Sequence, residues 1–156
     1  MTNREPDIAA AREPARGWLE HKTYVFPIRV YYEDTDFSGV VYHANYLRFM
    51  ERGRSEFLRD CGVGHRTILD EPESLAWTVR SMTIDFLRPA RVEDALTVRT
   101  RVVELGGARM RLDQSVAKDA DILVKAAIEV CTITLEGRPR RIPEPMRKKL
   151  EFYIET

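Results

Sequence analysis

Histidine and cysteine are scarce in this chain: three histidines and two cysteines stand among 156 residues. The cysteines, Cys61 and Cys131, are too few for a disulfide framework and lack the paired spacing of a zinc site. Both are expected to be buried thiols. Asp34, Asp36 and His43 could in principle bind a metal, but no two histidines have helical i, i+4 spacing, so neither metal nor cofactor is expected. Net charge is also missing. With 25 basic and 25 acidic side chains there is no general basic face, which excludes bulk nucleic-acid binding. No apolar run approaches the roughly 20 residues that span a bilayer, and the first residues carry no apolar signal core, so a cytoplasmic protein is expected. Neither G-x-G-x-x-G nor G-x-x-x-x-G-K-[ST] occurs, which leaves dinucleotide and phosphate-loop binding unsupported. Ser55, in GRSEF, lacks the second glycine of a nucleophile elbow and falls within a helical pattern.

What is present reads as one α+β domain. Residues 1–20 mix charges with Pro6 and Pro14 without a sustained apolar period and are expected to form a mobile arm, with a single domain over 21–156. Tyr24, Phe26, Ile28, Val30 and Tyr32 recur at every second position, as in a half-buried strand, and Pro27 inside it points to a sheet edge. Tyr46, Met50, Gly53, Phe57 and Cys61 repeat at spacings of four and three, which predicts an amphipathic helix of about four turns with Asn45 as N-cap and Gly62 past its C-terminus. Gly53 lies on the apolar stripe, where a missing side chain lets the helix sit close to a sheet. Four β-rich segments follow, at 75–87, 95–105, 109–118 and 122–135, joined by the hairpin signals Gly106-Gly107 and Asp119-Ala120-Asp121. A short helix is expected from Glu144 to Phe152. The order of elements implies one long helix on a curved antiparallel sheet, and a symmetric homodimer would protect its open surface and strand edges.

The densest cluster of reactive groups is the loop from Glu33 to Asn45, with three carboxylates, His43, and Gly39 ahead of a helix start. A plain structural role is open for it, with Asp34 and Asp36 forming Asx-turns and His43 packed by Tyr42. The functional alternative uses the unpaired N–H groups of the helix's first turn to stabilise an oxyanion, while a carboxylate upstream attacks a carbonyl or activates water against it. Acyl transfer is the natural reaction class. His21 and His65 have no neighbours that suggest catalysis. Arg138, Arg140, Arg141, Arg147, Lys148 and Lys149 form a basic C-terminal segment, either a solvated face or a partner for the phosphates of coenzyme A, an acyl carrier or anionic lipid; Arg88 and Arg91 are second candidates.

The segment YYEDTDFSGVVYHANYLRFMERGRSEFLRDCGV, with IDFLRPARVEDALTVRTRV further on, resembles the hot-dog-fold acyl-CoA thioesterases of the 4-hydroxybenzoyl-CoA thioesterase type, most closely the bacterial branch associated with the Tol-Pal system. The resemblance implies a curved five-stranded antiparallel sheet wrapped around one long helix, and subunits paired as homodimers or homotetramers. It places Asp36 on the family's catalytic carboxylate, as nucleophile or general base, and His43 at the helix start whose backbone N–H polarises the thioester carbonyl. Gly39 is expected to permit a tight approach, Asn45 and Tyr46 to fix the helix start, and Glu51 to face the loop from one to two turns on. Gly39, Val41, Tyr42, Asn45, Glu51 and Arg140 make up the expected substrate-binding set. Hydrolysis of an acyl-CoA thioester is the preferred reading, with acyl carrier protein as a further partner and peripheral association with the inner membrane. A hot-dog hydroxyacyl thioester dehydratase and a non-catalytic scaffold for acyl carrier protein or lipid enzymes are the alternatives.

Overall fold

The computed structural model describes residues 14–154, so most of the expected N-terminal arm lies outside the described residues. The chain runs through β1 (Trp18–Glu20), β2 (Thr23–Arg29), α1 (Asn45–Asp60), α2 (His65–Leu69), β3 (Leu75–Phe86), β4 (Ala95–Leu105), β5 (Arg109–Lys118), β6 (Asp121–Thr134) and α3 (Glu144–Glu151). All strand pairings are antiparallel and form one sheet in the order β1-β2-β4-β5-β6-β3. The long elements fall where the periodicity puts them.

Two-residue alternation builds the sheet's two faces. Leu96, Val98, Thr100 and Val102 of β4 and Met110, Leu112, Gln114 and Val116 of β5 are buried toward α1. The intervening residues point outward and pair across strands, as Arg101 does with Asp113 at 3.0 Å and Arg80 with Glu129 at 2.7 Å. Bulges between Val79 and Ser81, Val102 and Glu104, and Val116 and Ala117 add twist and curl the sheet around the helix. Helix α1 buries Tyr46, Phe49, Met50, Gly53 and Phe57 in that curve. It ends as Gly62, at φ 79°, donates its N–H to Arg59 O and Val63 donates to Leu58 O, two bonds that satisfy the last carbonyls.

The structure departs from the sequence reading in several places. Trp18–Glu20, inside the expected arm, forms a sixth strand on β2, held by the pairing of Trp18 with Val25 and by the Glu20–Arg99 ion pair at 2.8 Å. Pro27 lies beyond the end of β1, where β2 is an open edge. Asn45 is not the N-cap: that position belongs to Ala44, and the Asn45 side chain is engaged elsewhere. The short α2 was not foreseen. Cys61 is buried, but Cys131 is only half-buried, because it takes an outward position of β6.

Two features position the loop between β2 and α1. Val41 donates its N–H to Ala90 O at 2.9 Å, and Val40 bridges to Arg91, so the loop is pinned to the connection between β3 and β4. Strand β3 lies at the opposite edge of the sheet from β1, with Val79 and Phe86 of its helix-facing row 41% and 48% exposed.

Candidate active site

Asp34 and Asp36 have separate roles. Asp34 is buried; its Oδ2 accepts the Tyr31 N–H at 2.8 Å, and its carbonyl accepts both the Tyr42 N–H at 3.0 Å and the Asn45 side-chain amide at 2.8 Å. It is the scaffold that ties the helix start back to the strand, and Asn45 serves that tie. Asp36 is half-buried, and its Oδ1 accepts the Ser38 hydroxyl at 2.5 Å and the Ser38 N–H at 2.8 Å. The Asx-turn that the sequence left open for Asp36 is therefore present, and it fixes the carboxylate on Ser38. The Ser38 hydroxyl first, then the Ser38 N–H, hold the Asp36 carboxyl below the usual carboxylate range. Both Ser38 bonds go to Oδ1, and the Val40 N–H adds a smaller contribution in the same direction.

The loop closes on itself through Asp36 N–H to Val40 O at 2.9 Å and Gly39 N–H to Asp36 O at 3.1 Å. Gly39 turns at φ 80°, and nothing lies within 4 Å of where its Cβ would be. It is needed for its left-handed backbone. Across the turn, Asn45 donates its N–H to Tyr42 O, Tyr46 to His43 O and Leu47 to Ala44 O. The N–H groups of His43 and Ala44 meet no acceptor among the described residues. They are the free donors of the helix start.

The His43 ring lies between Tyr42, at 4.5 Å between centroids, and the edge-on Phe86 at 5.9 Å. With Val41, Tyr46, Leu87, Arg88 and Pro89 these residues line an open cleft of about 260 Å³. Tyr46 closes its floor by accepting the Ala90 N–H on its hydroxyl at 2.9 Å. A larger hollow, about 440 Å³, lies on the outer face of the sheet among Arg99, Asp113 and Lys125, away from this loop. Among the described residues, no three histidine, cysteine or acidic side chains converge as metal ligands would.

Two expected site residues lie elsewhere. Arg140 is bound to Glu73, with Nε at 2.7 Å from Oε1, next to the start of β3, whereas the cleft is at the Phe86 end of that strand. At about 3.3 Å per residue, a twelve-residue strand puts some 35 Å between the two ends. The cation in the cleft is Arg88, whose exposed side chain reaches Asp121 at only 3.4 Å. Glu51 does not face the loop either: it is ion-paired with Arg54 beside a separate cavity lined by Leu58, His65 and Trp77. Phe86, Leu87 and Ser38 were missed by the sequence reading; for Ser38 the D-x-S spacing of an Asx-turn was the available signal.

A sheet curled on one long helix, with a hydrogen-bonded carboxylate ahead of free helix-start donors, is an arrangement suited to acyl transfer. A sequence model of the Thioesterase superfamily matches residues 38–125, more than half of the chain, and the chain belongs to that family. It is 40% identical over 130 residues to the acyl-CoA thioesterase YbgC of Haemophilus influenzae, covering 83% of this chain and 94% of that protein. Against the acyl-CoA thioester hydrolase YbgC of Escherichia coli the identity is 37% over 121 residues, covering 76% and 89%. Among solved structures, a probable thioesterase from Bartonella henselae superposes with a TM-score of 0.76 at 49% identity, over 78% of this chain and 99% of that one. A Thermus thermophilus protein of hypothetical function gives 0.78 at 27% identity, over 86% and 99%.

Proposed function

We propose that this protein hydrolyses acyl thioesters of coenzyme A, releasing the carboxylic acid and the free thiol. The observation that carries the reading is an Asp36 carboxylate favoured in its ionised form, on the loop that leads into a helix start whose His43 and Ala44 N–H groups have no acceptor among the described residues. The YbgC relatives, similar over most of this chain, give the substrate class.

In this reading the thioester carbonyl oxygen accepts the His43 and Ala44 N–H groups. Asp36, kept ionised by Ser38, takes a proton from water as the water oxygen bonds to the carbonyl carbon, or attacks that carbon itself to form an anhydride that water then opens. In either route the tetrahedral oxyanion collapses, the C–S bond breaks, and the thiolate leaves with the electron pair. One donor at such an oxyanion is worth about 3 kcal/mol of barrier. Arg88, and Arg91 on the same connection, replace Arg140 as the cations for the coenzyme phosphates.

The protein works as a homodimer joined edge to edge along β3. That strand is twelve residues long with an open outer edge among the described residues, and Phe37, beside Asp36, is fully exposed. No described helix is long and apolar enough to cross a membrane, which suits a cytoplasmic site of action. Thiol release from a panel of short, long and aromatic acyl-CoAs tests the proposal. Release well above background from at least one member is expected. A silent panel rejects it, and a silent panel with binding to acyl carrier protein favours the scaffold alternative.

A further inference from the structure

We propose that the ion pair between Glu51 and Arg54 is the floor of the acyl-chain groove and restricts hydrolysis to short and medium acyl chains. This rests on the thioesterase reading above and concerns the part of the substrate that the cleft at His43 does not hold.

Leu47, Glu51, Arg54 and Leu58 follow one another at spacings of four, three and four, so they share one stripe of α1, and His43 lies just ahead of the helix. The stripe runs beside the helix-facing row of β3, where Val79 and Phe86 are exposed and Met82 and Ile84 are half-buried. Two hollows open near this stripe and strand: the cleft at the Phe86 end, and a cavity of about 230 Å³ at the Trp77–Val79 end that Glu51 and Arg54 line. With the carbonyl on the His43 donor and the coenzyme toward Arg88, the acyl chain has the half-exposed Leu47 ahead of it. It meets Glu51 six residues past the first residue of α1, about 9 Å of helical rise.

The charge there cannot withdraw. The Arg54 side chain is only 6% exposed and donates through Nη1 to Gln114 Oε1 at 2.9 Å. Gln114 is itself fixed, donating through Nε2 to Met50 O at 3.0 Å and to Thr100 Oγ1 at 2.8 Å. Glu51, half-exposed, is held on that buried cation. Each methylene laid on an apolar wall improves binding about fourfold, whereas one laid on Glu51 strips water from a charge and gains nothing.

The test is thiol release from acetyl-, butyryl-, hexanoyl-, octanoyl-, dodecanoyl- and palmitoyl-CoA. For the native protein kcat/KM should climb through the shorter members and fall for dodecanoyl and palmitoyl. Glu51→Leu should raise the dodecanoyl-to-butyryl ratio about tenfold or more, mainly through KM, since two or more methylenes then gain an apolar seat. Glu51→Gln, which keeps an acceptor on Arg54, should move the ratio the same way and covers the case in which Glu51→Leu does not fold. Leu47→Trp, blocking the groove before the floor, should lower octanoyl relative to acetyl turnover. Unchanged ratios in these variants, or palmitoyl as the fastest native substrate, would overturn the proposal while leaving hydrolysis intact. No thiol from any member would instead remove the thioesterase reading itself.

Discussion

Gly53 sets how closely α1 can sit on the sheet, and the helix start depends on that seat. A Cβ placed on Gly53 would lie 2.5 Å from Val98 Cγ1, 3.1 Å from Val98 Cβ and 3.5 Å from Gln114 Nε2. Val98 is fully buried in β4 and β-branched, so it has no free rotamer to move into. For Gly53→Ala, helix propensity returns about 1 kcal/mol and the buried methyl about 0.8 kcal/mol. Overpacking costs about 1–3 kcal/mol, and such a short contact with a fixed side chain belongs at the upper end. The net expectation is a loss of about 1 kcal/mol, a fall in Tm of about 2–4 °C for a chain of this size. Val98→Ala removes the obstacle. In that background Gly53→Ala should stabilise by about 2 kcal/mol, a coupling of about 3 kcal/mol between the positions. Thermal denaturation of the four proteins, followed by circular dichroism, measures the cycle. Equal destabilisation by Gly53→Ala in both backgrounds would refute the close-approach argument.

Further expectations concern the site and the thiols. Asp36 has its pKa depressed chiefly by the Ser38 hydroxyl, so the ionised form persists to lower pH than for a free carboxylate; Ser38→Ala should move the acid limb of the kcat/KM profile to higher pH, and an unmoved limb would exclude Asp36 as its source. Arg88→Glu should raise KM for a coenzyme A thioester but not for a truncated thioester, while Arg140→Glu, which breaks contacts with Glu73 and the Pro139 carbonyl, should alter neither. Burial pushes the Cys61 thiol up to about 12, so iodoacetamide at neutral pH should alkylate the half-buried Cys131 first and Cys61 only on unfolding; mass spectrometry of the folded protein checks the order.

Elements long enough to show a period were legible in the sequence. Helix α1 and strands β3 to β6 each carry at least three repeats of their apolar spacing, and their bounds fall within a residue or two of those expected. β1 and α2, at three and five residues, are too short to display one, and depend on contacts such as Glu20 with Arg99 that lie far apart in the chain. The same limit governs the candidate site. The loop from Glu33 to Asn45 is local, so its Asx-turn and helix start could be placed from spacing. Arg140 could not, because its partner Glu73 is 67 residues away. Glu51 shows the same limit, since it turns to a buried arginine whose own partner, Gln114, lies 60 residues away.

The central claim is that Asp36 performs the chemistry, and Asp36→Asn tests it most directly. Asparagine retains an oxygen that can accept from Ser38, so the loop should survive and Tm should stay near that of the native protein. A positioned carboxylate acting on water contributes about 10²–10⁴-fold, and thiol release from the best acyl-CoA substrate should fall by that factor. A folded Asp36→Asn protein that releases thiol within a few-fold of the native rate would contradict the account.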